Sequence, residues 1–318
     1  MIMPTVYGSI CLLGVIGNGL VLYTVARKTT LHCKHTAADI FMFSLSLVDL
    51  LFLLGMPFLI HQLVGNGAWH FGETMCRIIA GVDASSQFTS TYILTAMTLD
   101  RYLATVYPLR SSYFRTPSVA LAVVAGVWFL SLLTITPVWL YTRLMPLPDG
   151  QARCGMVLPN PSQDIYWYTL YQFFLAFAIP LVVICVVYIK ILRYMLAAVA
   201  PLQHSNLEGR TKKVTRMAIA ICTTFFICWA PFYFLQLVNL GVTSTPFEMA
   251  YMVAIGLSYS NSCITPFIYI LLSKTFKRKI GVAFNPSKRK VPSTQLIPAE
   301  DGRPMMALSQ SSARHADL

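Results

Sequence analysis

The sequence predicts an all-α membrane protein, a bundle of seven transmembrane helices with a short amphipathic helix after the seventh. Three observations predict it. Hydrophobic residues make up 56% of the 318 and charged residues only 11%, with a mean hydropathy of +0.62, whereas soluble domains carry about 25% charged residues. The apolar residues fall into seven segments, each as long as or longer than the ~20 residues that cross a bilayer. The basic residues gather in alternate connections and in the tail, as membrane topology requires. A soluble chain of this composition could not cover its apolar surface. The net charge of +12 therefore reflects orientation in a membrane and does not mark a nucleic-acid partner.

In chain order, residues 1–5 form a short outer N-terminus, and the first span covers 6–26 with Gly17-Asn18 inside it. No basic stretch or small-residue cleavage site marks a signal peptide, so this span is expected to serve as its own insertion signal. The second span, 38–63, carries Asp49 and Pro57, and the third, 74–106, carries an acid near each end, Asp83 and Asp100. At roughly 1.5 Å per residue these acids lie about 26 Å apart, nearly the ~30 Å hydrocarbon thickness. The fourth to seventh spans cover 117–141, 165–195, 215–240 and 247–272. In residues 273–284, Phe276, Ile280 and Phe284 recur at intervals of four with basic residues between them. That pattern fits an amphipathic helix on the inner leaflet, or a plain stop-transfer charge cluster. Residues 285–318 are polar and read as a disordered tail.

With the N-terminus outside, 21 of the 24 basic residues fall on the inner side, and only Arg77, Arg143 and Arg153 fall on the outer. The opposite orientation would reverse this bias. Topology also sorts the eight cysteines. Cys11, Cys185, Cys222, Cys228 and Cys263 lie in spans, and Cys33 lies on the reducing side. Cys76 and Cys154 are left on the outer side and are expected to pair, holding the second outer loop across the mouth of the bundle.

Two acids lie deep within apolar segments, where a carboxylate is costly and marks a functional site by default. Asp83, Gln87 and Ser90 share one face of the third helix at i, i+4 and i+7. Asp83 serves either as counter-charge for a cationic ligand or as a structural partner within the bundle. The outer halves of the other spans hold no Lys, Arg or His except His61 at the edge of the second, which favours the ligand. Asp49 lies near mid-bilayer, at the depth of Asn18, Ser90, Asn261 and Ser262. These oxygens could hold a sodium ion or waters; alternatively Asp49 is protonated within a hydrogen-bonded core. Prolines at 57, 137, 180, 231 and 266 lie inside five spans, and each frees a backbone carbonyl and permits a kink.

Taken in order, Gly17-Asn18, Leu45-Ser46-Leu47-Val48-Asp49, Cys76, Asp100-Arg101-Tyr102, Trp128, Cys154, Pro180 with Tyr188, Cys228-Trp229-Ala230-Pro231 and Pro266-Phe267-Ile268-Tyr269 resemble the rhodopsin-like G-protein-coupled receptors. The resemblance covers residues 5–284. Stretches 55–62, 69–76, 83–92, 135–141 and 167–177 are similar to the melanin-concentrating hormone receptors, and to their first subtype more than their second. That likeness implies a cyclic, arginine-containing peptide whose guanidinium meets Asp83. Gln87, Phe232, Tyr233, Gln236 and Tyr259 are expected to share the pocket. It implies coupling to a heterotrimeric G protein of the inhibitory class, with the phospholipase-activating class and arrestin as further partners. Asp100 is expected to hold Arg101 at rest, beside Tyr102, with Trp229 and Pro231 at a hinge and Tyr188 and Tyr269 stabilising the opened state. No catalytic residue and no cofactor is expected, apart from the allosteric sodium ion at Asp49, Ser90, Asn261 and Ser262. The sequence departs from the family at Thr265, where Asn is usual before Pro266; threonine keeps a hydroxyl and loses the amide.

Other classes lack their chemistry. No lysine lies between residues 240 and 273 to hold retinal, no internal repeat suggests a transporter, and neither His-Glu-Xaa-Xaa-His nor Gly-Xaa-Ser-Xaa-Gly occurs.

Overall fold

The computed structural model describes residues 2–30, 35–65, 67–147, 150–199, 205–238 and 245–272. Seven long helical runs make up the bundle. The first is Ile2–Thr30, the second Ala37–Val64 and the third Gly72–Val106. The fourth is Pro117–Thr134, continued past a break at Ile135 by Thr136–Tyr141. The fifth runs through Pro161–Phe173, a π-helical turn Phe174–Ala178, and Ile179–Val199. The sixth is Ser205–Val238 and the seventh Thr245–Leu272. The first helix begins four residues before the apolar segment that predicts it. Residues 273–284 and 285–318, expected to form the amphipathic helix and the tail, lie outside the described residues.

Local signals set several ends. Thr36 and Asp39 form a reciprocal capping box at the start of the second helix, satisfying two amides that a helix N-terminus leaves free. Thr116 caps the fourth through Val119 N, with Pro117 at the first helical position.

Six of the seven helices are long and apolar enough, by length and composition, to cross a membrane. The third is the exception, and its position accounts for this. Ser85, Ser86, Gln87, Thr89, Ser90, Thr91 and Thr98 are all buried, because this helix runs through the bundle against the second, fourth, fifth and sixth. Its polar groups meet other helices, so the hydropathy that lipid demands is not demanded of it. Thr89 Oγ1 donates to Ser131 Oγ at 2.7 Å, and Ser131 Oγ donates to the Ser85 carbonyl at 3.1 Å.

Four of the five prolines in the spans share a solution. Each frees the carbonyl four residues earlier, and in four of the five spans a side chain occupies that carbonyl. Cys11 Sγ donates to Leu53 O below Pro57, and Thr136 Oγ1 to Leu133 O below Pro137. Thr91 Oγ1 donates to Ala176 O below Pro180, and Asn18 Nδ2 to Ser262 O below Pro266, at 3.0 and 2.8 Å. For Pro231 in the sixth helix, no side-chain donor among the described residues reaches the Ile227 carbonyl. Asn18 thus ties the first helix to the seventh. There Gly17 is required, because a Cβ would stand 2.7 Å from Pro266 Cγ, well inside contact distance.

The connection between the fourth and fifth helices forms an antiparallel hairpin, Thr142–Pro146 paired with Ala152–Met156, with Leu144 opposite Cys154. Cys154 is disulfide-bonded to Cys76 with a Cα–Cα distance of 5.7 Å. Trp69 N donates to Ala152 O at 2.7 Å and ties the hairpin to the second–third connection.

Candidate functional site

At the hairpin end the helices enclose a cavity of about 340 Å³. Asp83, Gln87, Phe232, Gln236 and Tyr259 line it, together with Tyr168, Gln172, Tyr251 and Trp229, and Cys154, Gly155 and Met156 of the hairpin form part of its wall. Among the described residues of that lining, Asp83 is the one carboxylate, and there is no Lys, Arg or His. Its partners are neutral: Tyr259 donates to Oδ1 at 3.0 Å, and Gln87 Nε2 donates to Oδ2 at 3.4 Å. Hydrogen bonds of this kind orient a carboxylate without cancelling its charge. The cavity therefore presents a fixed, uncompensated anion, which suits a cation carrying N–H donors.

Five of the six residues expected in the pocket meet there. Tyr233 is placed one layer back, 1% exposed and packed 5.0 Å from the Phe177 ring. It still touches the site, because its hydroxyl donates to Gln87 Oε1 at 3.2 Å. Phe52 was absent from the sequence reading, yet its ring stacks on Tyr259 with centroids 4.0 Å apart and fixes the angle of that donor. Trp229 closes the cavity floor, 5.7 Å from Phe52 and 6.1 Å from Tyr233. Gln172 was also missed. Its side-chain amide donates to Gln87 Oε1 at 2.6 Å and accepts from Gln236 Nε2 at 3.2 Å. The spacing of Tyr168 and Gln172, i and i+4, is the signal that could have found it.

Below the cavity, Asp49 is buried and accepts from Ser262 Oγ at 2.8 Å through Oδ1. Asp49 Oδ2, Asn18 Oδ1, Ser46 Oγ and Asn261 Oδ1 are buried without a hydrogen-bond partner among the described residues. One carboxylate among hydroxyl and amide oxygens is a donor set that fits a hard monovalent cation. Ser90 is buried on the third helix. The Thr265 hydroxyl donates to its own helix, to Asn261 O at 2.9 Å, so its proton is not directed at Asp49.

At the far end of the third helix, Asp100 holds two arginines. Arg101 Nη2 donates to Oδ2 at 2.6 Å, while Arg115 makes a forked contact, Nε to Oδ1 at 2.8 Å and Nη2 to Oδ2 at 3.2 Å. The first pair was expected. Arg115 was not singled out, because 15 positions separate it from Asp100 in sequence and only the short turn Pro108–Ser111 brings it back. Tyr102 stacks edge-on with Tyr107, centroids 6.0 Å apart. Tyr188 lies within 3.4 Å of Thr98 Oγ1 and 3.8 Å of Cys222 Sγ, linking the third, fifth and sixth helices. Tyr269 is fully buried.

A seven-helix membrane bundle with a one-acid cavity at one end and an Asp-Arg ion pair at the other has the architecture of a receptor and holds no catalytic constellation among the described residues. The profile described as "7 transmembrane receptor (rhodopsin family)" matches residues 17–269. The chain is 57% identical over 289 residues to melanin-concentrating hormone receptor 1 of Homo sapiens, covering 90% of this chain and 82% of that protein. The Rattus norvegicus protein of the same name gives the same figures. Melanin-concentrating hormone receptor 2 of Homo sapiens is 36% identical over 288 residues, 88% of this chain and 83% of the relative. The chain belongs to the rhodopsin family of seven-transmembrane receptors and, within it, to the melanin-concentrating hormone receptors. It is a multi-pass membrane protein and a receptor, not an enzyme.

Proposed function

We propose that this receptor binds a cyclic, arginine-containing peptide of the melanin-concentrating hormone type, with a peptide guanidinium on Asp83. The observation that carries the reading is the lone, uncompensated carboxylate in the cavity. Its relatives' names give the peptide class. A planar guanidinium can meet both oxygens of Asp83 with two parallel N–H bonds, a fork geometry that a lysine ammonium lacks. Binding there can keep both the Tyr259 donor and the 3.4 Å Gln87 contact, because the two carboxylate oxygens have acceptor sites to spare. The N-terminus and the hairpin face outward and the Arg101 end faces the cytoplasm of the plasma membrane, a reading supported by the distribution of basic residues.

Signalling is a shift between two bundle arrangements, each favoured by its own partner. At rest Asp100 holds Arg101 and Arg115 together, leaving the cluster with one net positive charge. Opening of the sixth helix at Pro231 releases Arg101 toward a heterotrimeric G protein of the inhibitory class, with the phospholipase-activating class and arrestin as further partners. Losing charge-assisted bonds worth about 1.5–3 kcal/mol each weakens the resting state, so Asp100→Asn should raise agonist-independent nucleotide exchange at least severalfold. The assay is exchange on purified inhibitory and phospholipase-activating G proteins, run with a panel of melanin-concentrating hormone, somatostatin and opioid peptides. Selective stimulation by the first supports the assignment; stimulation by another peptide alone replaces it.

The oxygens around Asp49, Ser90, Asn261 and Ser262 would hold a sodium ion, which would neutralise the buried carboxylate. Sodium then favours the resting arrangement. Peptide affinity should fall severalfold when sodium replaces potassium at constant ionic strength, and this difference should vanish in Asp49→Asn. Equal affinity in both salts would remove the ion from the account.

A further inference from the structure

Among the described residues, three glutamines from three helices form a single file that ends on a carboxylate: Gln236 on the sixth, Gln172 on the fifth and Gln87 on the third. Gln236 Nε2 donates to Gln172 Oε1, Gln172 Nε2 donates to Gln87 Oε1, and Gln87 Nε2 donates to Asp83. The direction of the file follows from its end. An ionised carboxylate only accepts, so Gln87 must turn its NH₂ toward Asp83 and its oxygen away. That oxygen can be met only by donors, and both Gln172 Nε2 and the Tyr233 hydroxyl supply them. The same constraint passes to Gln172, whose oxygen must then receive Gln236 Nε2. Gln236 is left with its oxygen outermost. Gln236 lines the cavity, and its Oε1 is buried with no hydrogen-bond partner among the described residues.

We propose that Asp83, acting through Gln87 and Gln172, fixes Gln236 as a second acceptor, so that the ligand is read at two points. A cation meets Asp83, and a neutral N–H or O–H donor meets Gln236 Oε1. Gln172 is a positioning residue, and it acts by denying Gln236 the freedom to flip. A ligand without the second donor leaves a buried acceptor unpaired and is rejected on that ground. The inference rests on the cavity being the peptide site.

The test measures binding of melanin-concentrating hormone to the wild-type receptor and to Gln236→Met, Gln236→Glu, Gln172→Met and the double Gln172→Met/Gln236→Met variant. Surface expression and thermal midpoint are checked in parallel. Gln236→Met removes the acceptor at similar volume and is expected to weaken binding about tenfold. Gln236→Glu offers an oxygen whichever way it turns, at the cost of the bond to Gln172 Oε1, and should bind clearly better than Gln236→Met. Gln172→Met should also weaken binding, and the double variant should be no weaker than the worse single, because the residues act in series. Multiplicative losses, or equal losses for Gln236→Met and Gln236→Glu, would overturn the relay while leaving the peptide assignment standing. A wild-type receptor that does not bind the peptide overturns both.

Discussion

The Asp83→Asn receptor is expected to reach the membrane normally and to lose high-affinity peptide binding. The substitution is nearly isosteric, and the amide oxygen can still accept from Tyr259, which donates to this side chain at 3.0 Å in the present structure. The fold therefore loses little. The ligand loses its counter-charge, since no second carboxylate lines the cavity among the described residues. Truncating one partner of a buried, hydrogen-bonded charge pair costs about 2–5 kcal/mol, or roughly 30- to 5,000-fold in affinity. Saturation binding at matched surface expression measures it. An affinity within twofold of wild type would mean that the guanidinium is recognised elsewhere.

Breaking the Cys76–Cys154 bridge, by Cys76→Ser or Cys154→Ser, is expected to have the largest effect on stability. The bridge closes a separation of 78 residues, worth about 4 kcal/mol on a chain-entropy estimate. It also holds the hairpin whose residues 154–156 form part of the cavity wall. Both variants should show a marked loss of surface receptor and a lower thermal midpoint in detergent, and the receptor that does reach the surface should bind peptide weakly. The two single variants and the double should behave alike, since each removes the same bond. A Cys154→Ser receptor with wild-type thermal midpoint and binding would show that the backbone contact from Trp69 N to Ala152 O suffices to hold the hairpin.

Much of this was legible in the sequence, and the reasons are physical. A membrane demands long apolar runs and confines basic residues to certain connections, so span number and order can be read directly. The fourth span was read as 117–141 with Pro137 inside it; the helix does start at Pro117, but it breaks at Ile135, just before that proline. Asp83 and Asp49 stood out because carboxylates are rare where lipid surrounds a helix. Less could be read where partners lie far apart in sequence. The carbonyls capped by Thr91 and Asn18 involve donors on other helices. The π-helical turn Phe174–Ala178 carries no periodicity that distinguishes it from the helix around it. Gln172 is a neutral amide in an aromatic stretch, and its importance appears only when Gln87 and Gln236 are seen on either side of it. Arg115 looked like one more inner positive charge until the turn at Pro108–Ser111 placed it on Asp100.

Pairing of one peptide arginine with Asp83 is tested most directly by a double-substitution cycle. Wild-type and Asp83→Asn receptors are each titrated with the native peptide and with analogues in which each arginine in turn becomes citrulline, which keeps shape and N–H donors but not charge. For one arginine, citrulline should weaken wild-type binding at least about 30-fold and leave the already weak Asp83→Asn binding unchanged, a coupling of about 2 kcal/mol or more. If instead the losses multiply for every arginine, the guanidinium and Asp83 act independently, and the salt bridge at the heart of this account does not form.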